Sequence, residues 1–326
     1  MGRVIVLGSL MTDLVARAER FPHAGESLIG EEFSIFVGGK GLNQAVTAAR
    51  LGASVNLIGH VGSDAFGDAF FEALAAEGVD HTYVSRDVIV GTGVGCVTIN
   101  MDSGQNTIVA FPRANLVLTS EAVEAAMRGI VGEVPSNLTG DKEAGVPGVF
   151  LTQCETRVAT TIAGLRCARS AGMTTILNAA PIPREPLEED LFALSDILIV
   201  NEVEASMLAE VSVGSATTAE LAAVQLLRRG PRHVIITLGA HGFTWSTRGN
   251  SEDAPTAHHW MQAFSVQQVD ATAAGDAFCG ALAARLAAGT PFAEALQWAN
   301  AAGALTVTRA GALPSLPRVG EIEALL

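Results

Sequence analysis

Short β-branched and aliphatic runs alternate with amphipathic stretches along most of the chain, and this alternation limits the possible folds more than any other feature. The runs "VIVLGS", "SVNLIGHVG", "GVFLTQ", "TTILNA", "ILIVNE" and "HVIITLG" read as strands. "GLNQAVTAARLG", "DAFGDAFFEALAAEG" and the stretch after each later run suit helices. The pattern predicts an α/β fold: a doubly wound, mostly parallel sheet flanked by helices. Ligands of such sheets sit beyond the carboxyl ends of the strands, which draws attention to Asp13, Glu155, Asn178, Asn201 and Gly239.

Two regions break the pattern. "SLIGEEFSIFVGG" and "TGVGCVTINMDSGQNTIVAFP" read as strands without an intervening helix, the second as a hairpin turning at Asp102-Ser103-Gly104. They predict a small antiparallel β lid, formed from about 13–38 and 91–113, over the ligand edge of the sheet. Its outer face offers a surface for a second copy of the chain, so a homodimer through the lid is expected. With 326 residues and 49% of them hydrophobic, the chain can bury a large core. We expect one α/β domain, 1–326, with the lid inserted in it.

Lys and Arg number 20 against 34 acids, a net charge of −14, and Lys40 and Lys142 are the sole lysines. Such a surface repels phosphate backbones and anionic lipid, which argues against nucleic-acid and membrane partners. Cys96, Cys154, Cys167 and Cys279 form no C-x-x-C pair and read as reduced thiols of a cytoplasmic protein. The first apolar run stops at Asp13, too soon for a signal peptide or span. Asn137-Leu138-Thr139 matches a glycosylation triplet by chance, inside a polar stretch over 132–148 that reads as a surface loop.

The stretch "DATAAGDAF" places one acid among very small residues. Phe278, Ala281, Leu282 and Leu286 follow at helical spacing, so a helix starts near Ala274 or Gly275. Its first amides lack intrahelical partners. Ala273, Ala274 and Gly275 leave room for an anion to approach them, aided by the helix dipole. A carboxylate at a helix start is commonly only a cap. Here the cleared space suggests more: Asp276 as general base for a hydroxyl, with the amides holding a phosphoryl group in transfer. No G-x-x-x-x-G-K-[ST] occurs, since "VGGKGLNQ" has Ser34 where the first glycine belongs and Gly41 after Lys40.

With "GSLMTDLVARAERFPHAGE", "VGGKGLNQAVTAARLGA", "ILNAAPIP" plus "NEVE", "VDATAAGDAFCGALA" and "TRAGALPSLP" in order, the chain resembles the ribokinase-like carbohydrate kinases over almost its whole length. The resemblance implies ATP as phosphoryl donor, Mg²⁺, and transfer to a primary sugar hydroxyl. It puts Asp276 on the catalytic base and Ala273, Ala274 and Gly275 on the anion hole. On the sugar side it implies Asp13, Gly38, Gly39, Lys40, Asn43 and Glu155. On the nucleotide side it implies Asn201, Thr237, Gly239 and Asn300, with Glu204 reaching Mg²⁺ through water. A K⁺ site is implied at Asp270, Thr272, Thr306, Arg309, Gly311 and Ser315. His241, His258 and His259 match no family role and read as surface residues.

Two residues depart from the family pattern. Met11 stands where an asparagine is usual, two residues before the sugar-binding aspartate. A thioether is at best a weak acceptor, so one ribose hydroxyl loses a partner, a handicap of about 1–3 kcal/mol that 2-deoxyribose escapes. The alternative is that Met11 packs while ribose finds a water. Arg113 stands where glycine is usual; it either narrows the pocket or turns to solvent. The resulting expectation is an ATP-dependent pentose kinase acting on the 5-hydroxyl of D-ribose or 2-deoxy-D-ribose. Another sugar or nucleoside kinase, or a sugar-sensing protein without catalysis, are the alternatives. Aromatics at 5%, with Tyr83 the sole tyrosine, argue against nucleosides.

Overall fold

The computed structural model describes residues 2–103, 105–132, 148–183, 186–249 and 256–326. Asn137, Lys142 and most of the 132–148 loop, with Gly104 of the hairpin turn, lie outside the described residues. The strands are β1 (Arg3–Leu7), β2 (Met11–Ala18), β3 (Glu32–Gly38), β4 (Ser54–Gly62), β5 (Asp80–Asp87), β6 (Gly93–Asn100), β7 (Asn106–Phe111), β8 (Val149–Gln153), β9 (Thr174–Asn178), β10 (Ile197–Asn201), β11 (His233–Thr237), β12 (Phe243–Thr247) and β13 (Ala257–Met261). The helices are α1 (Lys40–Arg50), α2 (Ala65–Ala76), α3 (Ser120–Val131), α4 (Val158–Ser170), α5 (Glu189–Ala193), α6 (Glu202–Ala209), α7 (Ala216–Arg228), α8 (Ala274–Ala287), α9 (Phe292–Thr306) and α10 (Val319–Leu325).

Among the described residues one nine-stranded sheet runs in the order β13-β12-β11-β10-β9-β8-β1-β4-β5. From β5 to β11 all neighbours are parallel, and β12 and β13 close one edge antiparallel. In β1 the alternating side chains serve opposite faces, as the two-residue period of a strand requires. Val4 and Val6 join a core with Leu42 of α1, Leu282 of α8 and Ala299 of α9. Ile5 and Leu7 join a second core with Val123 of α3, Leu165 of α4 and Leu226 of α7. Helices therefore cover both faces, which is why the strands read as unbroken apolar runs.

A smaller four-stranded sheet, β3-β2-β6-β7, forms the lid. Its margins are antiparallel, but the central pair β2 and β6 is parallel, a refinement of the wholly antiparallel lid expected. Strand β3 begins only at Glu32; the preceding Ser27–Gly30 stretch is irregular. The lid's root is pinned where Asp64, the N-cap of α2, accepts the Thr92 N–H at 2.9 Å. Arg113 belongs to this root: it donates to the Thr92 carbonyl at 3.2 Å and covers Gly91. The residue is exposed, in line with the expectation that it turns to solvent, while its guanidinium stays tied to this root. Its φ of 45° lies in the left-handed region, where the glycine usual in the family would sit without strain.

The chain builds outward from β1 to β4 and β5, then returns to the other side of β1 with β8. That reversal sets the topological switch point between β1 and β8, where a ligand crevice is expected.

Candidate functional site

Three segments meet at this switch point: the residues after β1, the start of α1 and the residues after β8. Ser9 donates its hydroxyl to Glu155 Oε2, and the Lys40 N–H reaches the same oxygen at 3.2 Å. Gly39, at φ 92°, is the N-cap of α1, and a Cβ there would meet Met11 N at 2.7 Å. Only glycine allows the lid strand to turn into the helix so close to β2.

Asp13 lies on β2, with lid strands on both sides. A Cβ on Gly38 would stand 2.4 Å from Asp13 Oδ2, and one on Gly95 would stand 2.7 Å from Oδ1. The two glycines open the space into which the carboxylate leans. Met11 shares the strand face of Asp13, is buried, and packs its Cγ over Gly93. Burial, with Glu155 and Asp276 nearby, pushes the Asp13 carboxyl up to about 6.

Asp276 is buried in the first turn of α8. The N-cap Ala273 takes a left-handed φ of 63°, a conformation costing about 1–2 kcal/mol for a residue with a Cβ. By helix geometry the Gly275 and Asp276 N–H groups have no acceptor one turn back. A Cβ on Gly275 would meet nothing within 4 Å, so the space before these amides is open. Asn43 Nδ2 donates to Asp276 Oδ2 at 3.0 Å, and Gln44 Nε2 donates to Oδ1 at 2.9 Å. Asn43 Oδ1 is buried with no partner among the described residues, an acceptor left for a ligand hydroxyl.

On the other side of α8 lies a cavity of about 540 Å³. Ala274 and Gly275 line it together with Asn201, Thr237, Gly239 and Asn300. All four residues expected on the nucleotide side thus share one chamber with Ala274 and Gly275 of the expected anion hole. Asn300 Nδ2 is tied to the Gln262 carbonyl at 2.8 Å, and Thr237 Oγ1 lies 3.4 Å from the Val200 carbonyl. Asn201 and Glu204 form a capping box at the start of α6, with reciprocal bonds of 2.9 Å. The N-x-x-E spacing therefore has a structural role whatever else it does.

Around Lys40 gather Asp276, Glu155 and Glu204. Burial would lower its ammonium, but these carboxylates raise it above its usual range. Burial raises the Glu155 and Glu204 carboxyls despite Lys40. Three acids thus surround one ammonium, hard oxygens short of positive charge. Among the described residues no group of three or more His, Cys, Asp or Glu side chains is arranged to hold a metal ion, so a divalent cation here would have to keep most of its water.

The loops carrying Asp270 and Gly311 are joined: Asp270 Oδ2 accepts the Gly311 N–H, and Oδ1 accepts the Thr272 N–H, both at 2.9 Å. Burial would raise the Asp270 carboxyl, yet these donors hold it below its usual value. Thr306 Oγ1 bonds the Ala302 carbonyl, Ser315 Oγ the Ala312 carbonyl, and the Arg309 guanidinium pairs with Glu321. The side chains of this loop pair are thus engaged locally, leaving backbone carbonyls as the donors that suit a monovalent cation. His258 bonds Ser246 at 2.7 Å and His259 stacks on Trp245, away from these groups, while His241 is exposed.

Sequence reasoning missed Ser9, Gln44, Gln153 and Gly95. Gln153 ends a strand, like the residues that were singled out, and Gln44 is polar in the apolar stretch "LNQAVTAA". Both were signals of buried amides needing partners. Ser9 and Gly95 become visible only through the long-range pairing of Ser9 with Glu155 and of β2 with β6.

Comparison with known proteins agrees with this geometry. The sequence model described as pfkB family carbohydrate kinase matches residues 1–318. The chain is 38% identical over 318 residues to a ribokinase of Mus musculus, covering 96% of this chain and 91% of that one. It is 30% identical to a deoxyribokinase of Salmonella typhi over 323 residues, 99% of this chain and 98% of that one. The structure of Arabidopsis thaliana ribokinase complexed with ribose and ATP superposes with a TM-score of 0.84 at 27% identity, covering 99% of this chain and 98% of that one. The chain belongs to the pfkB family of carbohydrate kinases.

Proposed function

We propose that this chain is an ATP-dependent pentose kinase that transfers the γ-phosphoryl group to the 5-hydroxyl of D-ribose or 2-deoxy-D-ribose. One observation carries the reading: a buried carboxylate, Asp276, sits at a helix start whose free amides open onto the cavity lined by Asn201, Thr237, Gly239 and Asn300. Asp276 takes the hydroxyl proton as the oxygen attacks, and the turn from Ala273 to Gly275 stabilises the charge on the phosphoryl group, chiefly through the Gly275 amide, since the Ala274 N–H already donates to the Ala271 carbonyl at 3.3 Å. Asp13, Gly38, Gly39, Lys40, Asn43 and Glu155 hold the sugar under the lid. Bound Mg²⁺ would offset phosphate charge, with Glu204 holding it through water. A K⁺ ion would sit on carbonyls of the loops containing Asp270, Thr272, Thr306, Arg309, Gly311 and Ser315. The four free thiols fit a reducing compartment such as the cytoplasm. No described helix is long and apolar enough to cross a membrane.

Met11 packs in the sugar-side wall beside Asp13, so the pocket favours the sugar that lacks a hydroxyl there. Steady-state rates with both pentoses test this. We expect kcat/KM for 2-deoxyribose to equal or exceed that for ribose, and Met11→Asn to move the ratio toward ribose by roughly tenfold. An enzyme inert on both pentoses but active on another alcohol would refute the substrate assignment.

A further inference from the structure

We infer that Gln44 is a positioning residue for Asp276: its amide, locked in one orientation, fixes the plane of the carboxylate and leaves Oδ2 aimed at the sugar side. The inference rests on the kinase reading above.

The lock is visible on three sides of the Gln44 amide. Its Nε2 donates to Asp276 Oδ1 at 2.9 Å and to Asn178 Oδ1 at 3.1 Å, which uses both N–H groups. Its Oε1 accepts from Gln153 Nε2 at 2.6 Å. A flipped amide would set oxygen against both Asp276 and Asn178 and nitrogen against the Gln153 donor, so a single orientation survives. Asn178 is itself held by the Ile199 carbonyl at 3.2 Å, and Gln153 and Asn178 are register partners at the ends of β8 and β9. The amide is thereby anchored to the sheet rather than to a loop. All four groups are buried.

Helix α8 comes near enough for this contact because of Gly280, one turn after Asp276. A Cβ there would stand 2.5 Å from the Gln44 carbonyl oxygen and 2.7 Å from Thr47 Cβ. Asn43 and Gln44, neighbours on α1, hold one carboxylate oxygen each, so the plane of the carboxylate is fixed from a single helix. Gln44 makes its bonds to protein groups on every side, which separates its role from that of Asn43, whose Oδ1 is left for a ligand.

The test compares wild type, Gln44→Met, Gln44→Glu and Gln153→Met as full-length enzymes on the pentose that wild type turns over. The readouts are kcat, both KM values and Tm. For Gln44→Met we expect kcat to fall about ten- to hundredfold with each KM within about threefold. Gln44→Glu, nearly isosteric but with no N–H to donate, should lose kcat at least as far, and Gln153→Met should act in the same direction but less. If Gln44→Met does not fold, the kcat of Gln44→Glu decides. A folded variant with unchanged kcat, or one whose kcat and KM values worsen together with a lowered Tm, overturns the inference alone. A wild type inert toward every pentose overturns the kinase reading and this inference with it.

Discussion

Asp13 shows how the residue scale couples function to stability. Its carboxyl is pushed up to about 6 by burial and by Glu155 and Asp276, against an ordinary value of 3.8. Between those two pH values the folded chain binds a proton that the unfolded chain has lost. Stability from this group is therefore greatest at low pH and falls as pH rises through about 6. Asp13→Asn should raise stability at pH 7.5 by roughly 1–2 kcal/mol, a figure reduced for solvent screening at a half-buried site, and the gain should shrink toward pH 4.5. Urea unfolding at both pH values measures this, and a pH-independent change would contradict it. The same variant should lose pentose affinity, a trade of stability for function expected at such sites. At this scale Asp13, Glu155 and Asp276 stood out from the residues themselves, and Asn43 only through the family resemblance. The sequence hid Gln44 and Gly95, whose roles depend on partners more than a hundred or some eighty positions away.

At the scale of elements, the parallel strands and their helices were legible because each carries its own apolar pattern, and the start of α8 fell at the predicted turn. The order of lid strands was not legible: the pairing of β2 with β6 joins segments separated by five other elements, and no local period records it. That lid exposes one apolar face. Phe33 and Ile35 of β3 are 64% and 55% exposed, and Val109 and Phe111 of β7 are 57% and 49% exposed. The register places all four on the side opposite Asp13. We propose that a second copy of the chain covers this face. Sedimentation should show a dimer for wild type and a shift to monomer for Phe33→Glu with Ile35→Glu; a monomeric wild type would remove the proposal.

For the whole molecule, the winding of the sheet explains why so few residues carry the chemistry. The reversal between β1 and β8 leaves a crevice, and α1 and α8 meet there so that Asp276 contacts Asn43 and Gln44 beside the cavity that Ala274 and Gly275 line. On the proposed reading, a net charge of −14 leaves phosphate charge to be offset by the amides of α8, Lys40 and a metal ion arriving with the nucleotide. The direct measurement is the rate of phosphoryl transfer in a single turnover, with pentose affinity determined separately, for wild type and Asp276→Asn. The account predicts a rate lower by about 10²- to 10⁴-fold with pentose affinity retained. A variant that transfers phosphate at close to the wild-type rate would contradict it.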